Sequence, residues 1–362
     1  MFTSIAATVV VLGILIFVHE LGHFLVAKWL GVVVLRFSLG FGPKLLGFQR
    51  GETEYRLSAV PLGGYVKMLG EENEEEVPAE QMERSFANQW VGKRAAIVFA
   101  GPLSNILLAL VIFTVIFAVS GIPYLTTEVG SVTADSPASR VGIQAGDKVL
   151  ELNGKSVANW EEMSQAIQDE GKQPLVLKLQ RSEQVFTVEV VPELRKVPNL
   201  FGEAVERPVI GVTASGKTEI RKVNPLSAGY HSLVQTWTLT RLFFLTIVKL
   251  IQRVLPMDTL GGPILIAQMA GQQAQEGLLN LVYFLALISV NLAVLNLLPI
   301  PILDGGHLLF FLLEAVMGKP LSPRKVEYAQ KVGLVLLIAL MAIVFYNDIM
   351  RLMPGATKGL TP

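Results

Sequence analysis

The chain has no cysteine, few charges and no net charge. Its 362 residues include four histidines, and 30 Lys and Arg balance 30 Asp and Glu. Without cysteine, disulfide bonds and thiolate metal ligands are both excluded, which leaves histidine and carboxylates as candidate ligands. A chain without excess positive charge gives no indication of nucleic-acid binding.

Apolar residues are correspondingly abundant. They make up 51% of the chain, 17% of residues are charged, and the mean hydropathy is +0.51. This balance is typical of a multi-pass membrane protein with a soluble portion. Four segments reach the length of about 20 apolar residues that a span requires: 1–30, 95–120, 278–316 and 331–351. No Lys or Arg precedes the first segment and no small-residue cleavage motif follows it, so we expect a retained transmembrane helix, not a signal peptide.

Lysine and arginine in the loops predict the orientation. They cluster in residues 31–94 and between the third and fourth spans, so both loops are expected to be cytoplasmic. The N-terminus, the long middle segment and the C-terminus are then extracytoplasmic. The acidic run at 71–76 does not change this prediction, because acidic residues contribute little to the rule, and we expect it to be a solvated loop.

The first cytoplasmic loop, 31–94, is rich in β-forming residues. Strands are predicted at 32–39, 55–60 and 64–68, with a turn at Gly40-Phe41-Gly42-Pro43. Two interpretations stay open. The loop is either an ordinary β-hairpin or apolar β-structure that re-enters the membrane, which requires its backbone groups to be paired or to line a cavity.

The middle segment predicts a soluble domain followed by amphipathic helices. Residues 126–213 carry a helix at 160–168 and strands at 128–132, 148–152, 175–179 and 185–191. Residues 231–276 are apolar but interrupted by Arg241, Lys249 and Arg253. Charges at that frequency argue against a span and favour helices at the outer membrane interface.

The first span contains the pattern H-E-x-x-H. His19 and His23 are four residues apart and project from one face of a helix, so they can bind one divalent metal, with Glu20 as general base. A five-residue pattern with two free positions also occurs by chance. Its place in an apolar helix favours function, because ionisable residues inside a membrane are costly.

The third span supplies a candidate third ligand. Asp304 stands alone between apolar stretches, in a segment interrupted by two prolines and two glycines. It would complete a His-His-Asp set with His19 and His23, leaving a fourth position for water. The alternative is a lone aspartate at a helix N-terminus. We interpret His307 as supporting or structural, and Asn105 in the second span as a residue that hydrogen-bonds another helix.

These motifs together resemble the bacterial site-2 proteases, and among them those that cleave a membrane-bound anti-sigma factor in envelope stress signalling. The resemblance covers nearly the whole chain and rests on H-E-x-x-H, G-F-G-P at 40–43, P-L-G-G-Y-V-K-M at 61–68, a PDZ-like phrase at 136–154 and N-x-x-P-x-P-x-L-D-G-G-H at 296–307. Members of the family often carry two PDZ domains, whereas this sequence contains one such phrase.

The resemblance implies a multi-pass α-helical membrane protein with four transmembrane helices, a membrane-associated β-hairpin or sheet region, and an inserted α+β PDZ domain. It implies one Zn²⁺ per chain, an inner-membrane location, and cleavage of transmembrane segments of single-pass substrates, of the anti-sigma-factor type, with signal peptides as a further class. The PDZ domain would contact a peptide or an ectodomain, unless its groove is blocked or acts only sterically. The implied substrate-binding residues are Asn291, Asn296, Gly40, Phe41 and Gly42, and the implied PDZ groove residues are Ile210, Gly211 and Val212.

The implied mechanism needs an unwound substrate, because a helical peptide bond is shielded by its own hydrogen bonds. We expect the substrate to add as a strand to the Phe37–Phe41 edge of the loop. Two other classes of function stay open. A membrane-anchored PDZ adaptor would have a structural or inactive metal site, and a metal transporter would carry more polar residues along several spans.

Overall fold

The computed structural model describes residues 2–71 and 77–353, so residues 72–76 of the acidic run lie outside the described part. The chain forms two compact units. The first comprises 1–116 and 229–362, and the second comprises 117–228. The long helices belong to the first unit, and most of the short strands belong to the second.

The described residues form nine α-helices. They are α1 (Phe2–Trp29), α2 (Val91–Ser120), α3 (Pro137–Arg140), α4 (Trp160–Glu170), α5 (Pro225–Ile251), α6 (Pro263–Glu276), α7 (Leu278–Asn296), α8 (Asp304–Met317) and α9 (Pro323–Leu352).

The same residues form twelve strands. They are β1 (Val34–Arg50), β2 (Thr53–Met68), β3 (Ile122–Leu125), β4 (Val129–Val132), β5 (Lys148–Leu152), β6 (Lys155–Ser156), β7 (Leu175–Arg181), β8 (Gln184–Val190), β9 (Glu193–Pro198), β10 (Ala204–Val209), β11 (Val212–Ala214) and β12 (Thr218–Arg221). This content agrees with a multi-pass helical membrane protein that carries a β-hairpin region and an inserted α+β domain.

Five described helices are long and apolar enough to cross a membrane, one more than the four expected. They are α1, α2, α5, α7 and α9. The additional helix is α5, whose mean hydropathy over the best window is 1.3, against 2.2 to 2.5 for the others. By length and composition alone, α5 is therefore a candidate span, although the charges in its sequence predict an interfacial helix.

The contacts of α5 indicate whether it is a span or an interfacial helix. Near its start, Ser232 Oγ lies 2.7 Å from Thr114 Oγ1, close to the end of α2. Just after its end, the carbonyl of Met257 accepts from Asn347, close to the end of α9.

α2 ends on the side where α1 begins, because it runs antiparallel to α1. α9 ends on the same side, because Gly333 in its first half lies against Pro301, just after the opposite end of α7. The two ends of α5 therefore lie on one side. The contacts thus favour a helix lying at that side, as the charge pattern predicts.

The directions of the helices follow from a few contacts. Ala7 near the start of α1 and Phe284 near the start of α7 belong to one apolar cluster. Asp304, which follows the end of α7, lies beside His19 and His23 in the later half of α1, so α1 and α7 run in parallel. His23 contacts Ile97 and His19 contacts Asn105, so α2 runs antiparallel to α1. The far end of α1 therefore meets the start of α2 and the end of α7.

The segment expected as one span at 278–316 is two helices. α7 ends at Asn296, and α8 begins at Asp304. Pro299 and Pro301 in the connection lack the backbone N–H that a continuous helix would need. A side chain at Gly305 would meet the carbonyl oxygens of Leu297 and Leu298 at 2.3 Å, so α8 folds back tightly against the connection.

The loop after α1 is a bent hairpin. Phe37 pairs with both Val66 and Tyr55, so the first half of β1 lies between two parts of β2. Gly40 makes the bend possible, because its φ of +88° is in the region that favours glycine and an added Cβ would lie 2.6 Å from the carbonyl oxygen of Val60. The hairpin thus satisfies much of its backbone internally.

The inserted domain, 117–228, has its own apolar core around a four-stranded sheet in the order β6-β5-β7-β8. Buried Leu175, Leu177 and Leu179 of β7 alternate with more exposed residues and face Met163 and Ile167 of α4. Alternation of this kind buries one face of a strand. Strands β5 and β7 and helix α4 lie close to their sequence-predicted positions, whereas the hairpin β9–β10 was not predicted.

An ion pair between a buried carboxylate and a partly exposed guanidinium holds the start of β5 to the end of β7. Asp147 is fully buried and accepts from Arg181 Nε and Nη2 at 2.7 and 2.8 Å and from the Gln144 N–H at 2.8 Å. Burial opposes ionisation, but the guanidinium and the amide outweigh it and lower the pKa of this carboxyl. Because its folded pKa is depressed, Asp147 stabilises the domain above the unfolded pKa, and this contribution is lost as the pH falls through the folded value.

We predict that Asp147→Asn destabilises the inserted domain by about 1–3 kcal/mol at pH 7, because it leaves Arg181 without its carboxylate. The difference from wild type should shrink as the pH falls below about 4. Thermal unfolding of the intact protein across this pH range measures both effects. Glu183→Gln, in the exposed turn between β7 and β8, is the matched control and should change neither. A variant difference that stays constant down to pH 2 contradicts the assignment.

Candidate metal centre

Two histidines of α1 face one point. His19 and His23 are each 8% exposed, and their Nε2 atoms are 3.2 Å apart. The four-residue spacing places both imidazoles on one side of the helix, on successive turns. A buried pair of this kind inside an apolar helix has few partners other than groups from neighbouring elements or a metal.

Asp304, the first residue of α8, meets the same point. Its Oδ2 lies 3.1 Å from His19 Nε2, and its Oδ1 lies 3.6 Å from His23 Nε2. Within residues 2–71 and 77–353, these three side chains form a group whose ligand atoms all lie within 4.8 Å of one another. The break after α7 is what allows an aspartate to reach the histidines of α1.

The three side chains fit a zinc ion. Zinc binds imidazole nitrogen and carboxylate oxygen at about 2.0–2.2 Å with tetrahedral angles, which separates neighbouring donor atoms by about 3.3–3.6 Å. The observed separations of 3.1 to 3.6 Å are close to this range. In addition, Asp304 Oδ2 is buried without a hydrogen-bond partner, which is costly for a carboxylate unless a cation compensates it.

Close approach of α2 brings further groups to the histidines. A side chain at Gly101 would lie 2.3 Å from His23 Nε2 and 2.9 Å from His19 Cε1. A side chain at Gly22 would lie 2.4 Å from the carbonyl oxygen of Ala100. The two helices can therefore pack at this distance only because both positions lack a Cβ.

His23 is oriented by the backbone of α2. Its Nδ1 lies 2.9 Å from the carbonyl oxygen of Ile97. A carbonyl oxygen can only accept, so Nδ1 carries the proton and the lone pair of Nε2 faces His19 and Asp304. This tautomer is the one that a metal ligand needs. On the same face of α2, the side-chain amide of Asn105 contacts Nδ1 of His19 at 3.3 Å.

Glu20 lies beside the ligands and faces the hairpin. A Cβ at Gly64 would come within 3.0 Å of its Cγ, and the backbone N–H of Val66 points to its carboxylate. The strand portion 64–68 pairs with β1 on one side, and none of the described strands pairs with its other side. The 64–66 portion of β2 is thus the edge of the described hairpin next to the candidate base, and its Val66 N–H is already directed to the Glu20 carboxylate.

This arrangement corrects the expected edge. Phe37 and Leu39 are paired on both sides, with 64–66 and with 55–57. The part of the predicted edge from Phe37 to Leu39 therefore has no side open to a further strand. Gly40 and Gly42, with φ of +88° and +86°, lie in the bend of β1, and Phe41 pairs with Val60. The sequence alone does not show how β1 bends, and this bend decides which strand portion is at the edge.

The other predicted site residues are less closely connected to the centre. Asn291 lies within α7, and Asn296 is its last residue; both are half-buried. Among the described contacts, none joins either amide to the three candidate ligands. His307 lies one turn after Asp304 in α8, and its ring packs edge-on against Phe310.

The residues expected at a PDZ groove edge are engaged inside the domain. The carbonyl of Ile210 accepts from Ala138, and that of Gly211 accepts from Thr133. Val212 pairs with Val132 in the β4–β11 ladder. Strand β11 pairs only with β4 among the described strands, so its other side is not occupied by a strand and the groove role of these three residues stays a prediction. The strand that lies beside α4 is β10, which pairs with β9 on its other side.

Comparison with known proteins decides the family. Residues 7–340 match the model of peptidase family M50. The chain belongs to peptidase family M50. A protein of Rhizobium meliloti is 35% identical over 93% of this chain and 94% of its own, and one of Mesorhizobium japonicum is 38% identical over 94% and 96%; both are named as proposed zinc metalloproteases. The protease RseP of Yersinia pestis is 33% identical over 448 aligned positions, covering 96% of this chain and 99% of its own.

Membership in this family establishes the general chemistry. The protein is a zinc metalloprotease of the membrane, as the motifs predict. The alignment with the Yersinia relative is longer than the whole of this chain, so that relative carries residues without a counterpart here. Among solved structures, the PDZ domain of an SdrC-like protein from Listeria monocytogenes is 22% identical, with a TM-score of 0.21, covering 25% of this chain and 88% of its own.

We predict that Gly101→Ala strongly weakens zinc binding. Its Cβ would displace both imidazoles, although alanine is the better helix former by about 1 kcal/mol. Zinc content after dialysis against a graded chelator series measures the loss. Gly13→Ala is the matched control, since nothing lies within 4 Å of a Cβ at that position of α1. If Gly101→Ala retains zinc as Gly13→Ala does, the close packing around the histidines is wrong.

Proposed function

We propose that this protein is a zinc-dependent intramembrane endopeptidase that cleaves transmembrane segments of single-pass substrates in regulated intramembrane proteolysis. The observation that carries the proposal is the depth of the centre. His19 and His23 lie within a helix that is long and apolar enough to span a membrane, and Asp304 reaches them from the start of α8, shortly after the candidate span α7. Substrates at this depth are themselves membrane segments.

The proposed roles follow from the geometry of the site. His19, His23 and Asp304 hold the zinc, which when bound acts as a Lewis acid that polarises the scissile carbonyl and makes water a nucleophile near neutral pH. Glu20, adjacent to His19 and directed to the hairpin edge, accepts the proton of the attacking water and later gives it to the leaving amine. Asn291 and Asn296 are proposed to face the substrate, as the family resemblance implies.

The hairpin edge at 64–66 is proposed to hold the substrate, which would compete with Glu20 for the Val66 N–H. A transmembrane helix must be opened before its peptide bonds are accessible, and the exposed backbone groups then need partners where water is scarce. Adding an extended segment to a strand edge supplies those partners. The Gly64–Val66 portion lies against Glu20, so a segment added there would lie beside the general base. Gly40, Phe41 and Gly42 at the bend would contact the flanking residues.

We also propose the orientation and the class of substrate. Lysine and arginine in the loop 31–94 and at 319–331, around the start of α9, favour an inner-membrane protein whose metal centre faces the cytoplasm and whose domain 117–228 is extracytoplasmic. In that position the domain would meet the ectodomain or a newly formed terminus of a substrate such as an anti-sigma factor. Its β10–α4 side is the candidate groove.

We predict that Glu20→Gln abolishes cleavage of a single-pass reporter but leaves zinc bound. Loss of a general base costs about 10²–10⁴-fold in rate, whereas the three ligands are unchanged. The measurement combines zinc content of the purified full-length protein with cleavage of a reporter in liposomes. Glu327→Gln, at an exposed pair with Lys331 on α9, is the control and should cleave as wild type.

The same experiment separates the alternative. In a membrane-anchored adaptor with a structural metal site, wild type and Glu20→Gln would behave alike in the cleavage assay, whatever their zinc content. Equal behaviour of the two therefore contradicts the proposed proteolysis.

A further inference from the structure

Next to His19 lies a buried polar atom without a hydrogen-bond partner. His23 has a backbone carbonyl as the partner of its Nδ1, but the partner of His19 Nδ1 is the side chain of Asn105, at 3.3 Å from Nδ2. Asn105 is fully buried, and its Oδ1 has no hydrogen-bond partner. Leaving a buried amide oxygen unpaired is unfavourable, so this orientation of the amide leaves an acceptor that another arrangement of the site can use.

Zinc binding would change the hydrogen-bonding role of His19 Nδ1 from acceptor to donor. With Nε2 free, an amide N–H can donate to the lone pair of Nδ1. When Nε2 binds a metal, the proton of the neutral imidazole must be on Nδ1, which then becomes a donor and requires an acceptor. A half-turn of the Asn105 amide exchanges Nδ2 and Oδ1 without changing its shape, and it places the unpaired oxygen at Nδ1.

We propose that Asn105 is the positioning residue for His19. In the zinc-bound protein its Oδ1 accepts from Nδ1–H of His19, which holds the imidazole in the tautomer and direction that the ligand needs. This inference rests on the metal centre of the proposed function, but not on proteolysis. Asn105 contacts no substrate in this role and acts only through His19.

The placement of Asn105 on α2 supports this role. Ile97, Gly101 and Asn105 are spaced by four residues and share one face of the helix. The first orients His23, the second leaves room for both imidazoles, and the third reaches His19. The whole face of α2 thus complements the H-E-x-x-H turn.

Asn105 is also fixed in place from its other side. Ser289 Oγ of α7 donates to the backbone carbonyl of Asn105 at 2.7 Å. Asn105 is therefore tied to α7 through its backbone, while its side chain is left for α1. Since helix packing can be disturbed at Ser289 without touching the amide, the two functions of this residue can be tested separately.

The test uses three full-length variants in detergent. Asn105→Leu keeps the branched shape of the side chain but removes the acceptor, and the zinc dissociation constant should rise about 10–100-fold, the effect that is typical of partners of a metal-bound histidine. Asn105→Asp retains an acceptor and should bind zinc within a few-fold of wild type. Ser289→Ala, the packing control, should also remain within a few-fold. Zinc affinity is measured by competition with a chromogenic chelator, and thermal midpoints of the metal-free proteins report on folding.

Two results would overturn the proposal. One is an Asn105→Leu protein that folds and binds zinc as wild type does. The other is an Asn105→Asp protein that folds but binds as weakly as Asn105→Leu, since the amide would then act as a donor or only as packing. Zinc affinity in the expected order, together with equal cleavage by wild type and Glu20→Gln, supports the positioning role and rejects the proteolysis.

Discussion

The close packing of α1 and α2 at Gly22 and Gly101 is the constraint on which the site depends. A histidine in the middle of a helix finds no partner on its own helix, whose carbonyls are already used in i to i−4 hydrogen bonds. The partners of His19 and His23 must therefore come from a neighbouring helix at short range. A Cβ at either glycine would separate the two helices and remove both partners at once.

The third ligand depends on a different device, the interruption between α7 and α8. A continuous helix after Asn296 would carry Asp304 about two turns further along the same axis. Two prolines end the hydrogen-bonded ladder, and Gly305 and Gly306 let the chain fold back against its own carbonyls. Since α7 runs parallel to α1, this fold brings Asp304 to the depth of His19 and His23. The break thus converts a remote carboxylate into a ligand.

The hairpin β1–β2 combines exposed apolar side chains with a backbone that is largely paired. Its outer residues Leu45, Leu46 and Phe48 are largely exposed in the isolated chain, which suits contact with lipid or an apolar substrate. Irregular backbone at membrane depth is tolerated where it is paired. The two parts of β2 pair with the first half of β1 from opposite sides, so β1 is the interior strand there. The portion 64–68 then lies at the edge beside Glu20. The same fold thus pairs the interior strand on both sides and leaves one strand portion at the edge of the described hairpin.

The sequence by itself determined the chemistry of the centre. His19, Glu20 and His23 are close in the chain, so helical periodicity alone predicts their common face, and a lone Asp304 in an apolar segment is conspicuous because buried charge is rare. It also predicted the strands of the inserted domain that alternate in hydrophobicity. Tertiary structure decided what depends on long-range packing: the edge at 64–68 in place of Phe37–Phe41, the internal pairing of Ile210–Val212, and the contacts of α5. Asn105 belongs to both groups, because its polarity predicts a hydrogen bond to another helix, but only the antiparallel packing of α2 shows that the partner is His19.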